Sequence, residues 1–449
     1  MRKRLYIETW GCQLNLHQSE GLAGVLERAG FVATDSLSEA DVVLFNTCAV
    51  RKKAEEKAYG RIGAVAEEKR ARPVIFGVGG CLAQLRGASL LKRFSTIDFL
   101  FGTSDLSALP GLIAAVEEGK GRPAHLPHPA GGEEVPYRRV SPVTAMVTIT
   151  EGCSNACSYC VVPRARGPLR SRPPEAVLAE VEALVSAGYK EVLLLGQNVD
   201  SYGKERPEYG DFAGLLERVA RTGISRVRFT SSHPQDLAQA VIDAIARHEN
   251  VCKHLHLACQ SGSDRILAAM NRGHTRADFL SIVRRAREAV ERINLTTDLI
   301  VGYPGESEED FRLTRDLVEE VRFGSLFVAK YSPRPGTPSA RLPDDVPLET
   351  KDARLQELLA LERTIALEEN ERRIGDTLEV LVEGRAKRGG LYGRADDHRT
   401  VVLTGAAEMG EFVPVLIEGA SAAALAGRPL ARDPLGVGAR RSGSLARPL

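Results

Sequence analysis

The chain reads as an α/β protein: an N-terminal parallel α/β sheet, a partial (βα)6 barrel and a C-terminal small antiparallel β-barrel. Two successive stretches in which short apolar runs alternate with amphipathic helical patterns give the first two parts, since such alternation builds parallel sheets covered by helices. A change after Gly375 to period-two apolar runs divided by Gly-rich turns gives the third. At 449 residues, 43% of them hydrophobic, the chain exceeds one ordinary domain and can fill several cores.

Runs at 5–7, 42–45, 74–78 and 97–101 read as buried strands, with helices at 18–29, 54–70 and 106–118 between them, so a first domain is expected over 2–120. The stretch 118–140, rich in Gly, Pro and charge, reads as a linker. Apolar runs recur at 145–149, 192–195, 227–229, 255–258, 297–301 and 326–329, with helical patterns at 174–187, 235–247, 276–292 and 308–321. Six repeats are too few to close an eight-stranded barrel, so an incomplete one is expected over 139–371, with its sites on the loops that follow the strands. Residues 355–371 read as a long charged helix. Strands at 378–382, 391–394, 400–403 and 412–417 make a barrel over 372–435, and the Gly-, Ser- and Arg-containing tail 436–449 reads as disordered.

A formal charge of +1 gives no global attraction for polyanions, so any nucleic-acid surface has to be a local cluster of Lys and Arg. The basic start, Met1 to Arg4, runs through Ile7 into Glu8 with no signal-peptide core. No apolar run reaches the roughly 18 residues of a membrane span. A cytoplasmic protein without a membrane partner is expected. Eight cysteines are too sparse for a disulfide scaffold, and their grouping points to metal or redox chemistry.

Cys153, Cys157 and Cys160 stand in C-x3-C-x2-C spacing directly after the 145–149 run. Three thiolates on one loop reach three corners of a 4Fe-4S cubane and leave one iron open to a small molecule. A structural zinc loop is the alternative, although zinc sites usually close with two C-x2-C pairs or with Cys/His combinations. Cys12, Cys48 and Cys81 are 36 and 33 residues apart, too far for a local loop. Each follows a predicted strand, and the ends of successive parallel strands converge on one rim. They suit a second cluster with one open iron, against the plain alternative of three packed thiols. Cys252 and Cys259 are left over, Cys259 reading as a packed thiol.

The C-x3-C-x2-C spacing resembles that of radical S-adenosylmethionine enzymes, and the whole chain resembles the methylthiotransferases of that class, closest to the MiaB-type branch that modifies tRNA. The resemblance rests on Gly11-Cys-Gln-Leu-Asn15 with Ser19-Glu20, Asn46-Thr-Cys-Ala-Val-Arg51, Gly80-Cys-Leu-Ala-Gln84, Leu195-Gly-Gln-Asn-Val199, Ser232-His-Pro234, Gln260-Ser-Gly-Ser-Asp264 and Asp298 to Glu306. Gln18 stands where Asp is usual, Asp200 where Asn is usual, and Ala258-Cys259 where Pro-Val is usual. None of these departures removes a cluster cysteine. The resemblance implies a methylthiotransferase N-terminal domain, a radical core and a TRAM barrel.

It further implies two 4Fe-4S clusters and S-adenosyl-L-methionine as cofactors. The Cys153/Cys157/Cys160 cluster would be catalytic, cleaving S-adenosylmethionine to a 5′-deoxyadenosyl radical. The Cys12/Cys48/Cys81 cluster would hold the methylated sulfur. The product would be a prenylated adenosine beside the anticodon carrying a methylthio group on carbon 2, a position that acid–base chemistry cannot open but a cofactor radical can. Tyr159, Asn198 and Gly302 are implied cofactor contacts. The expected partners are the tRNA anticodon loop and an electron donor such as flavodoxin or ferredoxin, with the chain a monomer.

Arg385, Lys387, Arg388, Arg394 and Arg399 are the candidate RNA-facing charges of the barrel, diluted by Asp396 and Asp397. His254 and His256 share a strand face and read as structural or substrate-lining rather than as a metal pair. The competing functions are methylthiolation of threonylcarbamoyl-adenosine in tRNA, modification of a ribosomal protein, and a non-catalytic iron–sulfur RNA-binding protein.

Overall fold

The structure, a computed structural model, describes residues 2–50, 52–127, 135–386 and 389–430. Arg51, Lys387, Arg388 and the tail expected to be disordered lie outside them. The chain divides into two compact units, Met1–Ala366 and Leu367–Leu449.

The first unit opens with a six-stranded sheet in the order Val32–Ala33, Arg4–Thr9, Val42–Thr47, Ile75–Gly80, Phe99–Phe101, Ala124–His125, parallel at every pairing. Val42–Thr47 is buried along its whole length. Val43 and Phe45 enter one core while Val42 and Leu44 enter the other, as a strand covered on both faces requires. The four expected strands are present. Two short edge strands, Val32–Ala33 and Ala124–His125, add to them, along with two six-residue helices, Cys81–Arg86 and Ala88–Arg93.

The expected linker is partly structured. Its Ala124–His125 pairs with the sheet edge, and Arg138 N donates to Glu20 O (3.0 Å). Arg139 donates to Glu20 (3.1 Å), Glu180 (2.6 Å) and Met146 O (2.6 Å), and Arg172 reaches the same Glu180 at 2.7 Å. This half-buried network joins the helix Gln13–Arg28 to the next layer.

That layer is the partial barrel. Thr144–Thr148, Glu191–Leu195 and Arg226–Phe229 pair in parallel, as do His254–His256, Asn294–Val301 and Ser325–Lys330. Parallel bridges from Val227 to Val251 and from Ser232 to Leu257 join the halves. Among the described residues no pairing links the first strand to the last, so the barrel stays open. Helices Pro174–Ser186, Phe212–Ala220, Gln239–Arg247, Arg276–Ala289 and Glu308–Val321 supply its outer layer, and one apolar core runs through all of them. Two carry reciprocal capping boxes, Thr275 with Asp278 and Ser307 with Asp310, which fix their starts.

The second unit holds a closed five-stranded barrel: Thr377–Arg385, Leu391–Ala395, Thr400–Leu403, Leu425–Pro429 and Phe412–Ala420 in barrel order. Sequence periodicity marks four of these strands. The fifth, Leu425–Pro429, lies parallel to Thr400–Leu403, and the other pairings are antiparallel.

Candidate active site

The loop that bears Cys153, Cys157 and Cys160 is pinched at its base, where Thr150–Glu151 pairs antiparallel with Arg170–Ser171. Gly152 turns the chain there with φ +69°, and a Cβ on it would stand 2.1 Å from Pro168 O, so no other residue fits. Cys153 N donates to Gly167 O (3.2 Å) and Cys160 N to Cys157 O (3.1 Å). Ser158 anchors the middle of the loop: its N donates to Met270 O (2.9 Å) and its hydroxyl meets Tyr303 Oη (2.8 Å) and Ala269 O (2.9 Å). Arg272, buried, directs Nη1 at Cys157 Sγ (3.4 Å), and Val162 N donates to Cys160 Sγ (3.4 Å).

Of the other expected cofactor contacts, Tyr159 lies within this loop. Tyr159 packs against the cluster of Ile266, Met270, Tyr303 and Tyr331, and burial pushes its hydroxyl well above the usual range. Asn198 follows the second strand. Its amide donates to Asp236, which also receives Asn155 (3.0 Å) and pairs with Lys204. Gly302 ends the strand Asn294–Val301 at φ +70°, where a Cβ would meet Lys351 Cγ at 2.3 Å. Glu306 accepts from Gly302 N and pairs with buried Arg354 at 2.8 Å.

The N-terminal cysteines share one rim. Strand register sets Thr9 against Asn46 and Thr47 against Gly80, so Cys48 and Cys81 leave adjacent strands at the same level. A Cβ on Gly11 would stand 2.9 Å from Cys48 Cβ and 2.8 Å from Asn15 Oδ1, which brings Cys12 beside Cys48. Asn15 and Asn46 lock the rim: Asn15 Nδ2 donates to Asn46 Oδ1 (3.2 Å) and Thr47 O (3.3 Å), and Asn46 Nδ2 to Asn15 O (2.8 Å) and Ser19 Oγ (3.0 Å). Two arginines of the barrel layer reach this rim. Arg166 is buried beside Cys81 and Cys12; burial opposes its charge, but those thiols hold the guanidinium above its ordinary range. Arg334 donates to Val50 O (3.0 Å) and pairs with Glu55 (3.2 Å).

Each set offers three thiols, the donor type that an iron–sulfur cluster takes. All eight cysteines are free of disulfides. Among the described residues no group of three His, Cys, Asp or Glu side chains could hold a single metal ion. A cubane asks instead for three thiols around a volume, each on its own iron. Burial pushes the Cys160 thiol up to about 12 and raises Cys153, so these thiols need an adjacent cation to ionise. Around the radical loop Gln197 Oε1, Asn198 Oδ1, His233 Nε2 and Arg272 Nε are buried without a partner, a concentration that suits a polar ligand.

The remaining candidates are structural. Cys259 is fully buried, donates to Ser261 O (3.0 Å), and burial pushes its thiol up to about 12. Cys252 is buried. His254 and His256 both bond Thr296 Oγ1 (2.9 and 3.0 Å), and His256 also meets Asp298 (3.1 Å). In the C-terminal barrel Arg385 is exposed. Arg394 pairs with Glu383 (2.8 Å), and Arg399 pairs with buried Asp397 while donating to Asn370 (2.9 Å). Those two arginines brace the barrel wall, which narrows the expected basic face.

Sequence reasoning named neither Arg272, Asp236 nor Arg334 as a site residue. Arg166 was not named as one either. A charged side chain that meets a thiol across a hundred residues leaves no periodic trace.

Three family models match the chain: the Radical SAM superfamily at residues 147–318, the uncharacterized protein family UPF0004 at 4–102, and the TRAM domain at 371–430. A protein of Pelotomaculum thermopropionicum named tRNA-2-methylthio-N(6)-dimethylallyladenosine synthase is 44% identical over 95% of this chain and 97% of its own. Proteins of the same name from Carboxydothermus hydrogenoformans (45% identity; 92% and 96% covered) and Syntrophus aciditrophicus (42%; 96% and 95%) are similar. Among solved structures, the radical S-adenosylmethionine methyltransferase TsrM from Kitasatospora setae matches with a TM-score of 0.57 at 18% identity, over 76% of this chain and 77% of that one, a likeness of fold. With its near full-length relatives and its radical, UPF0004 and TRAM segments, the chain belongs to the radical S-adenosylmethionine methylthiotransferase family, in the branch of the tRNA-2-methylthio-N(6)-dimethylallyladenosine synthases.

Proposed function

We propose that this chain adds a methylthio group to carbon 2 of a tRNA adenosine beside the anticodon, one already prenylated on its exocyclic nitrogen. The observation that carries the reading is the presence, in one compact unit, of two cysteine triads on strand-end loops with Arg166 buried beside the N-terminal set. The relatives' shared name supplies the substrate class. When bound, S-adenosylmethionine at a reduced 4Fe-4S cluster would supply a radical able to take hydrogen from an unactivated ring carbon, a second cluster would supply the sulfur, and a second S-adenosylmethionine the methyl group.

Cys153, Cys157 and Cys160 hold the radical cluster, and Arg272 steadies the Cys157 sulfur. Asp236 aligns Asn155 and Asn198 at the cofactor, Tyr159 lines its apolar side, and Gly302 supplies the left-handed turn after the fifth strand. Cys12, Cys48 and Cys81 hold the auxiliary cluster, whose rim Asn15 and Asn46 keep in place. The C-terminal barrel contacts tRNA phosphates through Arg385, with Lys387 and Arg388 beside it in sequence. The N-terminal methylthiotransferase domain covers 2–120, the radical core 139–371 and the TRAM domain 372–435. The enzyme works in the cytoplasm as a monomer and takes electrons from a flavodoxin or ferredoxin. No described helix is long and apolar enough to cross a membrane.

The test is mass spectrometry of tRNA nucleosides after incubating the reconstituted enzyme with prenylated tRNA, reductant and S-adenosylmethionine. The 2-methylthio nucleoside together with 5′-deoxyadenosine is expected. Release of 5′-deoxyadenosine without that nucleoside overturns the substrate, and absence of both overturns the reading as an enzyme of this class.

A further inference from the structure

A cavity of 310 Å³ lies between the helix Gln13–Arg28, the loop after Phe101 and the base of the radical loop. Its volume is at the lower end of small-molecule sites, roughly 300–1,000 Å³. Two lining residues set it beside both triads: Arg166, next to Cys81 and Cys12, and Glu151, two positions before Cys153. Leu106, Val135 and Tyr137 give it an apolar wall. His17 stacks on Tyr137 with ring centroids 4.3 Å apart and planes 11° from parallel.

Three other features of the lining are unsatisfied. His17 Nε2, Gln18 Oε1 and Arg166 Nη2 are buried polar atoms without a partner, on residues 3%, 8% and 6% exposed. Each such atom costs roughly 1–3 kcal/mol when left unpaired, and three on the lining of one cavity mark a place whose partners arrive with a ligand.

The acids of the lining are already paired, and the charge of Arg166 faces the Cys81 and Cys12 thiols and Glu151, so the lining holds no unbalanced charge that calls for an ionic occupant. Asp105 is taken by His125 (2.6 Å) and Ser107 (2.9 Å), and Glu151 by Arg170 (3.2 Å). Burial holds His17 well below the imidazole range, so its ring is neutral. Gln18 Nε2 is bound to Gly102 O (3.3 Å), which leaves its carbonyl oxygen as an acceptor. His17 Nδ1 bonds Thr148 Oγ1 (2.8 Å). When that hydroxyl donates, Nε2–H is a donor, as is Arg166 Nη2. One acceptor, two donors and an apolar wall complement a neutral flat heterocycle with an N–H, ring nitrogens and a hydrocarbon branch.

We propose that this cavity receives the N6-prenylated adenine itself, its N6–H on Gln18, its ring nitrogens toward His17 and Arg166, and its prenyl chain against Leu106, Val135 and Tyr137. This rests on the function proposed above and adds to it the residues that read the base. It also gives a role to Gln18, which departs from the family's usual Asp: an amide accepts the N6–H without bringing a further buried charge.

The experiment measures the affinity of the reconstituted holoenzyme for two anticodon stem-loops, one bearing N6-dimethylallyladenosine and one plain adenosine, by fluorescence anisotropy at fixed salt. The wild type should prefer the prenylated loop. Gln18→Met, close in shape but lacking the acceptor, should weaken binding of that loop about tenfold. Val135→Thr, equal in shape and at a position only half-buried, should narrow the preference about threefold by placing a hydroxyl on the apolar wall. The KM of S-adenosylmethionine for cleavage without RNA should stay unchanged in both. Unaltered loop binding in both variants overturns the proposal, and so does a raised KM for S-adenosylmethionine, which would give the cavity to the cofactor. A wild type without preference for the prenylated loop overturns it whatever product forms. A wild type that shows the preference but makes no methylthio nucleoside leaves the base site standing and defeats the reaction assigned to it.

Discussion

Gly80→Ala should dismantle the N-terminal cysteine rim while sparing the radical loop. Gly80 ends the strand Ile75–Gly80 immediately before Cys81 with φ 82° and ψ −163°, a region essentially restricted to glycine, where another residue carries about 1–3 kcal/mol of strain. A Cβ there would stand 2.4 Å from Asn46 Oδ1 and 2.5 Å from Thr47 O, the two acceptors that Asn15 Nδ2 uses. Displacing them gives up at least one buried hydrogen bond, a further ~1 kcal/mol. The local penalty is therefore about 2–4 kcal/mol, placed under Cys48 and Cys81 and distant in sequence from Cys153 to Cys160. Iron and sulfide content after reconstitution should fall from two clusters per chain to one. Cleavage of S-adenosylmethionine should persist, and methylthiolated adenosine should disappear. Full iron content with undiminished methylthio product in the variant would refute the assignment of this rim to a cluster.

Cys157→Ala should abolish 5′-deoxyadenosine while the N-terminal cluster still assembles, read by chromatography and iron analysis; unchanged cleavage sinks the radical-cluster assignment. Cys48→Ala should do the reverse, retaining 5′-deoxyadenosine but giving no methylthio nucleoside by mass spectrometry. Deletion from Ile374 onward should weaken tRNA binding and flatten its salt dependence without stopping S-adenosylmethionine cleavage; an unaltered affinity at physiological salt would free the barrel of this role. Burial pushes the Asp200 carboxyl up to about 7, so folding retains its proton, and the destabilisation from ionising it grows as pH rises from about 4 to 7. Asp200→Asn should therefore raise the melting temperature above pH 7, by up to about 4 kcal/mol of stability, and change little below pH 4. An equal effect at both pH values would exclude titration as the cause.

The strands were legible wherever an apolar run ended on a distinctive residue, and Cys12, Cys48 and Cys81 all follow such runs. The helix Gln13–Arg28 begins five residues before its expected start because Cys12 occupies the N-cap with no side-chain cap bond, so the usual Ser, Thr or Asp signal is missing. Leu425–Pro429 escaped notice because it carries Gly427 and Pro429 in five residues and shows little alternation. In the candidate site, sequence spacing singled out the two cysteine sets and the motifs carried Asn15, Asn46 and Asn198, but neither gave Arg272, Asp236 or Arg334. The stack of His17 on Tyr137 joins a helix to the segment before the barrel, and Asp236 links Asn155 to Asn198 across separate loops, contacts that no local spacing encodes.

The network of Glu20, Arg139, Glu180 and Arg172 has a consequence for where motion occurs. Arg139 holds a carboxylate of the N-terminal helix and one of the barrel layer at once, and His17 is hydrogen-bonded to Thr148 across the same seam. Catalytic geometry built on such a seam is set before any RNA arrives, so binding free energy is not diverted into closing one layer on the other. The rearrangement falls to the nucleotide, whose extrusion from its stack requires a few kcal/mol. A loop already loosened by its own sequence or modifications would then be the faster substrate, and discrimination among tRNAs would be written partly in the mechanics of the RNA.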